Sequence, residues 1–383
     1  MRFPDLDDHS LSSILSFLDQ RDSLTLSLTS CRIHSLAKRH ALSEIDIRTA
    51  AQLERICSYL LADVTNRLHF VRALTVSKVA FGIRYYEAGD FSAAHILADV
   101  LERASPLKML RLDATGALFE AEPRVASAIC RLDQLVHVDL RGLTSPSFEV
   151  VDRLSCAPRR LSLHGYVATL SKDRGDWTSL LSASIMRRVR SLRLVRLRIG
   201  NPRDHSGDDN PCHTPTQWPE VRDLQIEHTF VSVATLVHTF PLARTIHFQT
   251  RKDIKDWEQR NPADLPPWSL TTETACWPYL DRVDGSNPDF ERWRIACKVR
   301  WLILDSGSGS MISRTVTFVQ QTLSILQRTW PVAFSLHGSP GMLDATFWGD
   351  LVRSAPHIRY LDLTLASGGK EEDKIPWTVS QPT

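Results

Sequence analysis

The chain has 383 residues, of which 43% are hydrophobic and 23% are charged, a balance typical of a folded protein with a large core. Its formal net charge of +2 argues against nucleic acid and anionic membranes as partners, because it creates no overall attraction to polyanions. No stretch approaches the ~20 consecutive apolar residues that span a bilayer, so we expect no membrane partner.

The seven cysteines are scattered and form no C-x-x-C pair. Several lie within apolar runs, as reduced and buried cysteines of intracellular proteins do. The first residues are polar and lack the apolar core of a signal peptide. Together these features predict a cytoplasmic or nuclear protein.

Three short helices are predicted at the N-terminus. In residues 6–18, apolar side chains recur with the spacing of one helix face, at Leu11, Ile14, Leu15 and Leu18. Asp7 or Asp8 can cap this helix, and residues 19–22 can cap a second one. A third helical segment covers residues 31–39.

About 40 residues are too few to bury all these leucines, so a unit of this size needs a disulfide, a metal or a partner. Neither a disulfide pattern nor a metal motif is present in the segment. Two interpretations remain on the pattern alone. Either a partner covers the leucines, or the helices cap a repeat array that follows.

The segment resembles an F-box, through Leu11-x-x-Ile14-Leu15-Ser16-Phe17-Leu18-Asp19 and Leu24-x-Leu26-Ser27-Leu28. The resemblance implies docking on a Skp-family adaptor, which connects to a cullin and a ubiquitin-conjugating enzyme. It places six side chains in the F-box core or the adaptor contact: Leu11, Ile14, Leu15, Leu18, Leu24 and Leu28. Leu6-Asp7 stands where the family usually has Leu-Pro, which leaves the strength of the adaptor contact open.

A strand pattern recurs from about residue 70. An apolar residue is followed by two residues of any kind, an apolar residue, one of any kind and another apolar residue. Nine copies begin at Val71, Leu107, Leu135, Pro158, Val189, Val221, Ala243, Val299 and Ile358, and weaker copies begin at Leu280 and Pro331. This alternation is typical of the strand segment of a leucine-rich repeat.

The segments between the strands have helical apolar spacing, at 91–104, 125–132, 148–154, 178–187, 231–240, 316–328 and 342–354. The predicted fold class is α/β: a leucine-rich-repeat solenoid, with a curved parallel sheet and outer helices, preceded by a small all-α F-box-like motif. The rival is a doubly wound α/β sheet, which the recurring template disfavours.

The whole pattern resembles F-box proteins with leucine-rich repeats, especially the divergent fungal kind. The predicted boundaries are 1–45 for the F-box-like motif and 46–365 for the irregular repeats. Loops at 201–219 and 251–279 interrupt the repeats, and 366–383 are expected to form a flexible tail.

The residues between the buried positions of each strand would face the concave surface of such a solenoid. They predict a target-binding face made of Arg111, His137, Asp139, Arg160, Arg193, Gln225, His247, Trp301, Ile303 and Tyr360. Three tryptophans of the loop 251–279, Trp257, Trp268 and Trp277, either bind a partner or cover a sheet edge. The basic run 187–198 favours an acidic site on a protein over RNA, because it lacks interleaved aromatic residues.

Catalytic motifs are missing. Asp305-Ser306-Gly307-Ser308-Gly309-Ser310 lacks the lysine of a phosphate loop, and neither H-E-x-x-H nor G-x-S-x-G occurs. His205, Cys212 and His213 do not have the spacing of a four-ligand zinc site. We therefore expect no catalytic residue, no metal and no cofactor, and a protein that is not an enzyme.

Two functions remain as hypotheses. The first is a substrate-recognition adaptor of a cullin-type (Skp-cullin-F-box) ubiquitin ligase, which binds an unknown target protein on the repeat surface. The alternative is a leucine-rich-repeat scaffold without a ligase role, in which the N-terminal helices serve as a cap.

Overall fold

The computed structural model describes residues 6–84, 88–165, 184–197, 217–229, 231, 233–249, 276–305, 315–338, 343 and 345–365. The chain divides into two compact units. The first unit comprises Met1–Gly175 and Ala183–Val189, and the second comprises Asp176–Ser182 and Arg190–Thr383. The predicted loop segments 201–216 and 251–275 and the predicted tail 366–383 lie outside the described residues.

The first unit begins with three helices: α1 (Asp8–Leu15), α2 (Gln20–Ser27) and α3 (Cys31–Ser43). The carboxylate of Asp7 caps α1 by accepting a hydrogen bond from the backbone N–H of Ser10, and Asp19 caps α2 through the N–H of Asp22. A local core joins the helices and contains Leu15, Ile33 and Ala37, with Leu18, Leu26 and Leu36 packed against it. The three predicted helices are present, and the side-chain caps predicted for the first two are confirmed.

The first unit continues with parallel strands that hydrogen-bond in chain order. They are β1 (Glu44–Ile47), β2 (Ala73–Val76), β3 (Met109–Leu112), β4 (His137–Leu143) and β5 (Arg160–Gly165). Its remaining α-helices are α4 (Ala50–Leu61), α5 (Ala94–Leu101), α6 (Thr115–Ala121), α7 (Pro123–Arg131) and α8 (Ser145–Asp152). Short 3-10 helices occur at Leu68–Phe70, Lys78–Phe81 and Ser184–Arg188.

The second unit has the same arrangement of parallel strands in chain order. These strands are β6 (Ser191–Val195), β7 (Asp223–Glu227), β8 (Thr245–Gln249), β9 (Leu280–Ser286), β10 (Val299–Asp305), β11 (Ala333–Gly338) and β12 (Tyr360–Leu365). Its described helices are α9 (Val233–Thr239), α10 (Asn287–Trp293), α11 (Thr315–Thr329) and α12 (Ala345–Ser354). Strand order reverses in neither unit, whereas a doubly wound sheet reverses at its switch point.

All eleven predicted strand segments coincide with strands. The two apolar positions inside each segment are buried in nearly every copy, because alternate side chains of a strand point to the same face. The last copy differs: Leu361 is 38% exposed and Leu363 is half-buried. Among the described strands β12 hydrogen-bonds only to β11, so it lacks a following strand that would help to cover these side chains.

Several elements depart from the predictions. The template begins too late to include β1 and α4, and it did not predict α6 or α10. The predicted helix at 178–187 is described only from residue 184, where it is a 3-10 helix that ends just before β6.

Candidate functional site

The six leucine and isoleucine side chains predicted for adaptor contact divide into two groups. Leu11 and Leu15 are buried, and Ile14 and Leu18 are half-buried, so these four contribute mainly to packing within the first unit. Leu24 and Leu28 are exposed, and 82% of the Leu28 surface is accessible. Of the two alternatives, the F-box core or the adaptor contact, burial places Leu11 and Leu15 in the core, and their assignment as adaptor-binding residues is wrong.

A further apolar side chain, Phe17, is 88% exposed directly after the end of α1. The predicted site did not include it, because it lies one residue outside the apolar stripe of the helix. Leu28 has a comparable position at the C-terminal cap of α2. Three exposed apolar side chains within twelve residues are unfavourable in water and typical of a surface that a partner covers.

The opposite side of the helical region packs against the strand-containing part of the first unit. The Arg39 guanidinium lies 5.2 Å from the ring centre of Phe70. The N–H of Arg72 donates to the carbonyl of Ser43, at the end of α3, and α3 leads directly into β1. A depression of about 440 Å³ lies at this junction and is lined by residues that include Ser12, His40 and Arg72. The helices are therefore anchored to the first unit on one side and exposed on the other.

In the first unit, Asp139 is the centre of a charged cluster on the strand face. Its carboxylate lies 2.9 Å from Arg141 Nη2, 3.4 Å from His164 Nε2 and 3.6 Å from Arg111 Nε. Arg111, Asp139 and Ser162 are neighbours in register on β3, β4 and β5. The structure thus brings together the predicted residues Arg111 and Asp139, but it pairs their charges with each other.

The other two predicted residues of this face are in different environments. His137 is half-buried, and burial lowers the pKa of its imidazole, although the nearby Asp139 carboxylate partly opposes the shift. Arg160, its neighbour in register on β5, is exposed. Of the residues predicted for this unit, Arg160 is the most accessible cation.

In the second unit, the strand face is a series of charge pairs across neighbouring strands. Arg193 on β6 donates two parallel hydrogen bonds of 2.8 and 2.9 Å to Glu227 on β7. Gln225 is half-buried and lies in register between Arg193 and His247. Such forked pairs fix side-chain geometry, so they organise the face more than they offer charge to a partner.

His247 forms the next pair, with Asp284 on β9, where its Nδ1 lies 3.4 Å from the carboxylate. The hydrogen bond to Asp284 raises the pKa of His247 and outweighs the opposing effect of burial. Burial alone would raise the pKa of Asp284, but His247 and Arg282 together lower it. Asp284 and Arg282 were missing from the predicted face, although the weak template copy beginning at Leu280 placed them there.

The aromatic end of the second unit contains Trp301 and Tyr360, which are 41% and 70% exposed. Trp301 Nε1 donates to Ser335 Oγ at 3.0 Å, and the Arg282 guanidinium lies 5.1 Å from the Trp301 ring centre. These contacts hold the indole in one orientation. A depression of about 880 Å³ here is lined by Trp301, Ala333, Phe334, Ser335, Arg359, Tyr360, Leu361 and Asp362.

The prediction of Ile303 as an accessible contact residue is wrong, and the burial of Trp277 argues against the first of its two alternatives, the binding of a partner. Ile303 is buried, because the Trp301 indole reaches across to Ser335, the register neighbour of Ile303 on β11. Trp277 is also buried, and its indole N–H donates to the carbonyl of Phe240, so it belongs to the core. Trp257 and Trp268 lie outside the described residues.

Other kinds of functional site, such as a membrane anchor, a metal site or a reactive cysteine, have little support in the described residues. Within the described residues, no helix has the length and hydropathy to cross a membrane, and no group of His, Cys, Asp or Glu residues is arranged to hold a metal. Six cysteines are described, and none of them forms a disulfide. Burial raises the pKa of Cys57 and Cys297 to about 12, which makes these thiols unreactive.

Comparison with known families identifies the class of the helical region: a model of the F-box domain matches residues 3–44. These residues form an F-box domain, and such domains generally bind a Skp-family adaptor and through it a cullin. A search of curated proteins finds no match for the chain. The family match ends where the strands begin, so the assignment of leucine-rich repeats rests on the strand template and not on a relative.

Asp7 explains the departure from the usual Leu-Pro start. A proline would supply no side-chain oxygen, whereas the Asp7 carboxylate accepts from both the N–H and the hydroxyl of Ser10. These two hydrogen bonds lower the pKa of Asp7. The chain therefore begins α1 with a side-chain cap in place of a rigid proline.

Proposed function

We propose that the chain is a substrate-recognition adaptor of a cullin-type ubiquitin ligase. The F-box match to residues 3–44, together with the exposed Phe17, Leu24 and Leu28 in that segment, is the observation that supports it. These three side chains contact the Skp-family adaptor, and Leu11 and Leu15 keep the helices in place. Ubiquitin transfer is then carried out by the partners, and this chain supplies proximity rather than catalysis. Such a role places the protein in the cytoplasm or the nucleus.

The rest of the chain is, in this proposal, an irregular leucine-rich-repeat domain spanning 46–365. Its support is the agreement between the eleven template copies and eleven parallel strands in chain order. The strand faces recognise the target. In the second unit the accessible candidates are Trp301 and Tyr360, since most charges of that face are paired.

Adaptor capture tests the ligase role. Purified full-length chain is incubated with an immobilised Skp-family adaptor and compared with the double variant Phe17→Asp, Leu28→Asp. We expect wild type to be retained and the double variant to lose about tenfold or more in affinity, because two apolar contacts become charges without partners. The matched control is Val352→Asp, since Val352 is exposed on α12 and lies far along the chain from the F-box domain. Wild type that does not bind the adaptor at all rules out the ligase role.

A scaffold without a ligase role is the second candidate, and the junction of α3 with β1 favours it. The contact of Arg39 with Phe70 and the hydrogen bond between Ser43 and Arg72 are those of a cap packed on its array. The two candidate functions make different predictions for the exposed side chains of the helices. A cap needs no partner there, so under the scaffold hypothesis neither wild type nor the Phe17, Leu28 variant captures the adaptor.

A further inference from the structure

A row of basic residues runs along the edge of the second unit where its strands begin. One register position at the start of β6 to β12 is occupied, in order, by Arg190, Arg222, Arg244, Asp281, Arg300, Val332 and Arg359. Asp281 and Arg300 are the second residues of β9 and β10, and the others immediately precede their strands. Backbone hydrogen bonds of 2.8 Å join Arg222 to Arg190 and Arg244 to Arg222, and one of the same length joins Arg359 to Val332. The sheet backbone therefore fixes the order and spacing of the row. We name its five arginines, Arg190, Arg222, Arg244, Arg300 and Arg359, the arginine row.

The charges of the arginine row are available to a partner. Arg190, Arg300 and Arg359 are exposed and make no ion pair with a described residue. Arg222 donates to the carbonyl of Leu242, and Arg244 lies 5.7 Å from the Tyr279 ring centre; neither forms an ion pair with a carboxylate among the described residues. Five arginines and the single aspartate, Asp281, leave the row with a net charge of 5 − 1 = +4.

Within the described strands β6 to β12, the arginines outside the row are paired with acids. These arginines are Arg193 and Arg282, and further along the strands the exposed acids Asp362 and Asp305 lie within β12 and at the end of β10. A broad polyanion such as folded RNA would meet these carboxylates as well as the arginines. A single extended peptide chain that follows the row would meet the five arginines and only one carboxylate, that of Asp281.

The spacing also fits an extended chain. Neighbouring strands lie ~4.8 Å apart, so the six intervals from Arg190 to Arg359 span roughly 29 Å, the length of about nine extended residues. Arg244, Arg300 and Arg359 share this register position on every second strand, so they recur at roughly 10 Å, the length of about three extended residues. Arg300 and Arg359 are also next in sequence to Trp301 and Tyr360, which line the 880 Å³ depression.

We propose that the arginine row binds an acidic, extended segment of the target protein, with carboxylates at about every third residue. The forked guanidinium groups pair with those carboxylates, and an apolar side chain near the end of the segment enters the depression beside Trp301 and Tyr360. The inference rests on the proposed function, because it specifies what the target-binding unit recognises.

The test uses the full-length protein and a fluorescent peptide of about nine residues, with glutamate at every third position and serine elsewhere. Binding is followed by fluorescence anisotropy at low and at raised salt. We expect affinity to fall as salt rises, and to fall about tenfold or more in the triple variant Arg190→Glu, Arg300→Glu, Arg359→Glu. None of these three side chains has a hydrogen bond or an ion pair with a described residue, so charge reversal breaks no described polar contact.

A second triple variant controls for net charge. Arg55→Glu, Arg103→Glu and Arg153→Glu change three exposed arginines of the first unit and leave the arginine row intact. We expect its affinity for the peptide to stay within about twofold of wild type, because screening removes most of the effect of distant charges. Circular dichroism checks that both triple variants are folded.

Three outcomes would overturn the inference. The first is that wild type fails to bind the acidic peptide. The second is that the two triple variants weaken binding equally. The third is that a lysine version of the peptide, or a single-stranded RNA of equal length, binds as tightly as the acidic peptide. Adaptor capture is measured on the same variants, and we expect the arginine-row variant to retain it. A chain that needs the row for peptide binding but never captures the adaptor would disprove the ligase role and leave this inference standing.

Discussion

His247 on β8 and Asp284 on β9 are neighbours in register, and their side chains form an ion pair with Nδ1 3.4 Å from the carboxylate. The carboxylate raises the pKa of His247, and the imidazolium in turn helps to lower the pKa of Asp284. The pair is therefore a titratable link between two strands of the second unit. Its contribution to stability depends on pH in a direction that can be worked out.

Because the folded-state pKa of His247 is raised, its contribution is complete below the ordinary value of 6.5 and is lost as pH rises through the raised pKa. The lowered pKa of Asp284 has the opposite effect, so its contribution is present above 3.8 and is lost as pH falls through the lowered pKa. We predict that Asp284→Asn lowers the pKa of His247, measured by NMR titration of the imidazole. Asp223→Asn, which changes an exposed acid, should leave the pKa of His247 unchanged, and an equal shift in both variants would contradict the assignment.

A second prediction separates the core of the F-box domain from its surface. Leu15→Ala should lower the free energy of unfolding by about 2–5 kcal/mol, because it leaves a cavity beside Ile33 and Ala37. Phe17→Ala and Leu28→Ala should each change it by less than about 0.5 kcal/mol, because these side chains are exposed. Urea unfolding followed by circular dichroism measures all three. A large loss for Phe17→Ala would show that it packs in the fold and does not face a partner.

The strands could be predicted because each copy of the apolar template repeats the alternation of buried and exposed side chains that a strand imposes. Val299, Leu302 and Leu304 are all buried, as their spacing requires. The exposed positions were harder to interpret, since a charged residue such as Arg193 can pair with a neighbour that lies 34 residues away in the chain. Sequence spacing places Arg193 on the face, but only the register of β6 and β7 shows that Glu227 neutralises it.

The aromatic residues show a second limit of prediction from the sequence. From the sequence, Trp277 could either bind a partner or cover a sheet edge, whereas in the structure its buried indole donates to the Phe240 carbonyl. A tryptophan with a satisfied N–H packs as well as any apolar residue. Phe17 shows the opposite case, an apolar side chain left in solvent just beyond a helix end.

A third prediction concerns Gly142, which lies in β4 where the pairing with β5 shifts register. Gly142 has φ +77°, and a Cβ added there would lie 3.1 Å from the backbone Cα of Ala114. Gly142→Ala should therefore destabilise the protein by about 1–2 kcal/mol or more, because an alanine meets both backbone strain and a close contact. Gly349→Ala is the control, since Gly349 lies within α12 and only the tip of Arg353 is near its added Cβ. Thermal unfolding should show a lower Tm for the first variant and an equal or higher Tm for the second.

The cysteines provide a fourth prediction, because their burial differs and the thiolate is the reactive form. Burial raises the pKa of Cys57 and Cys297 to about 12 and that of Cys156 to about 11, whereas Cys31 and Cys276 are exposed. A thiol-alkylating reagent at pH 7.5 should modify Cys31 and Cys276 in the native protein and reach the three buried thiols only after unfolding in urea. Peptide mass spectrometry identifies the labelled sites. Labelling of Cys57 at the rate of Cys31 would show that α4 does not pack against the first unit as described, since Cys57 lies on its buried face.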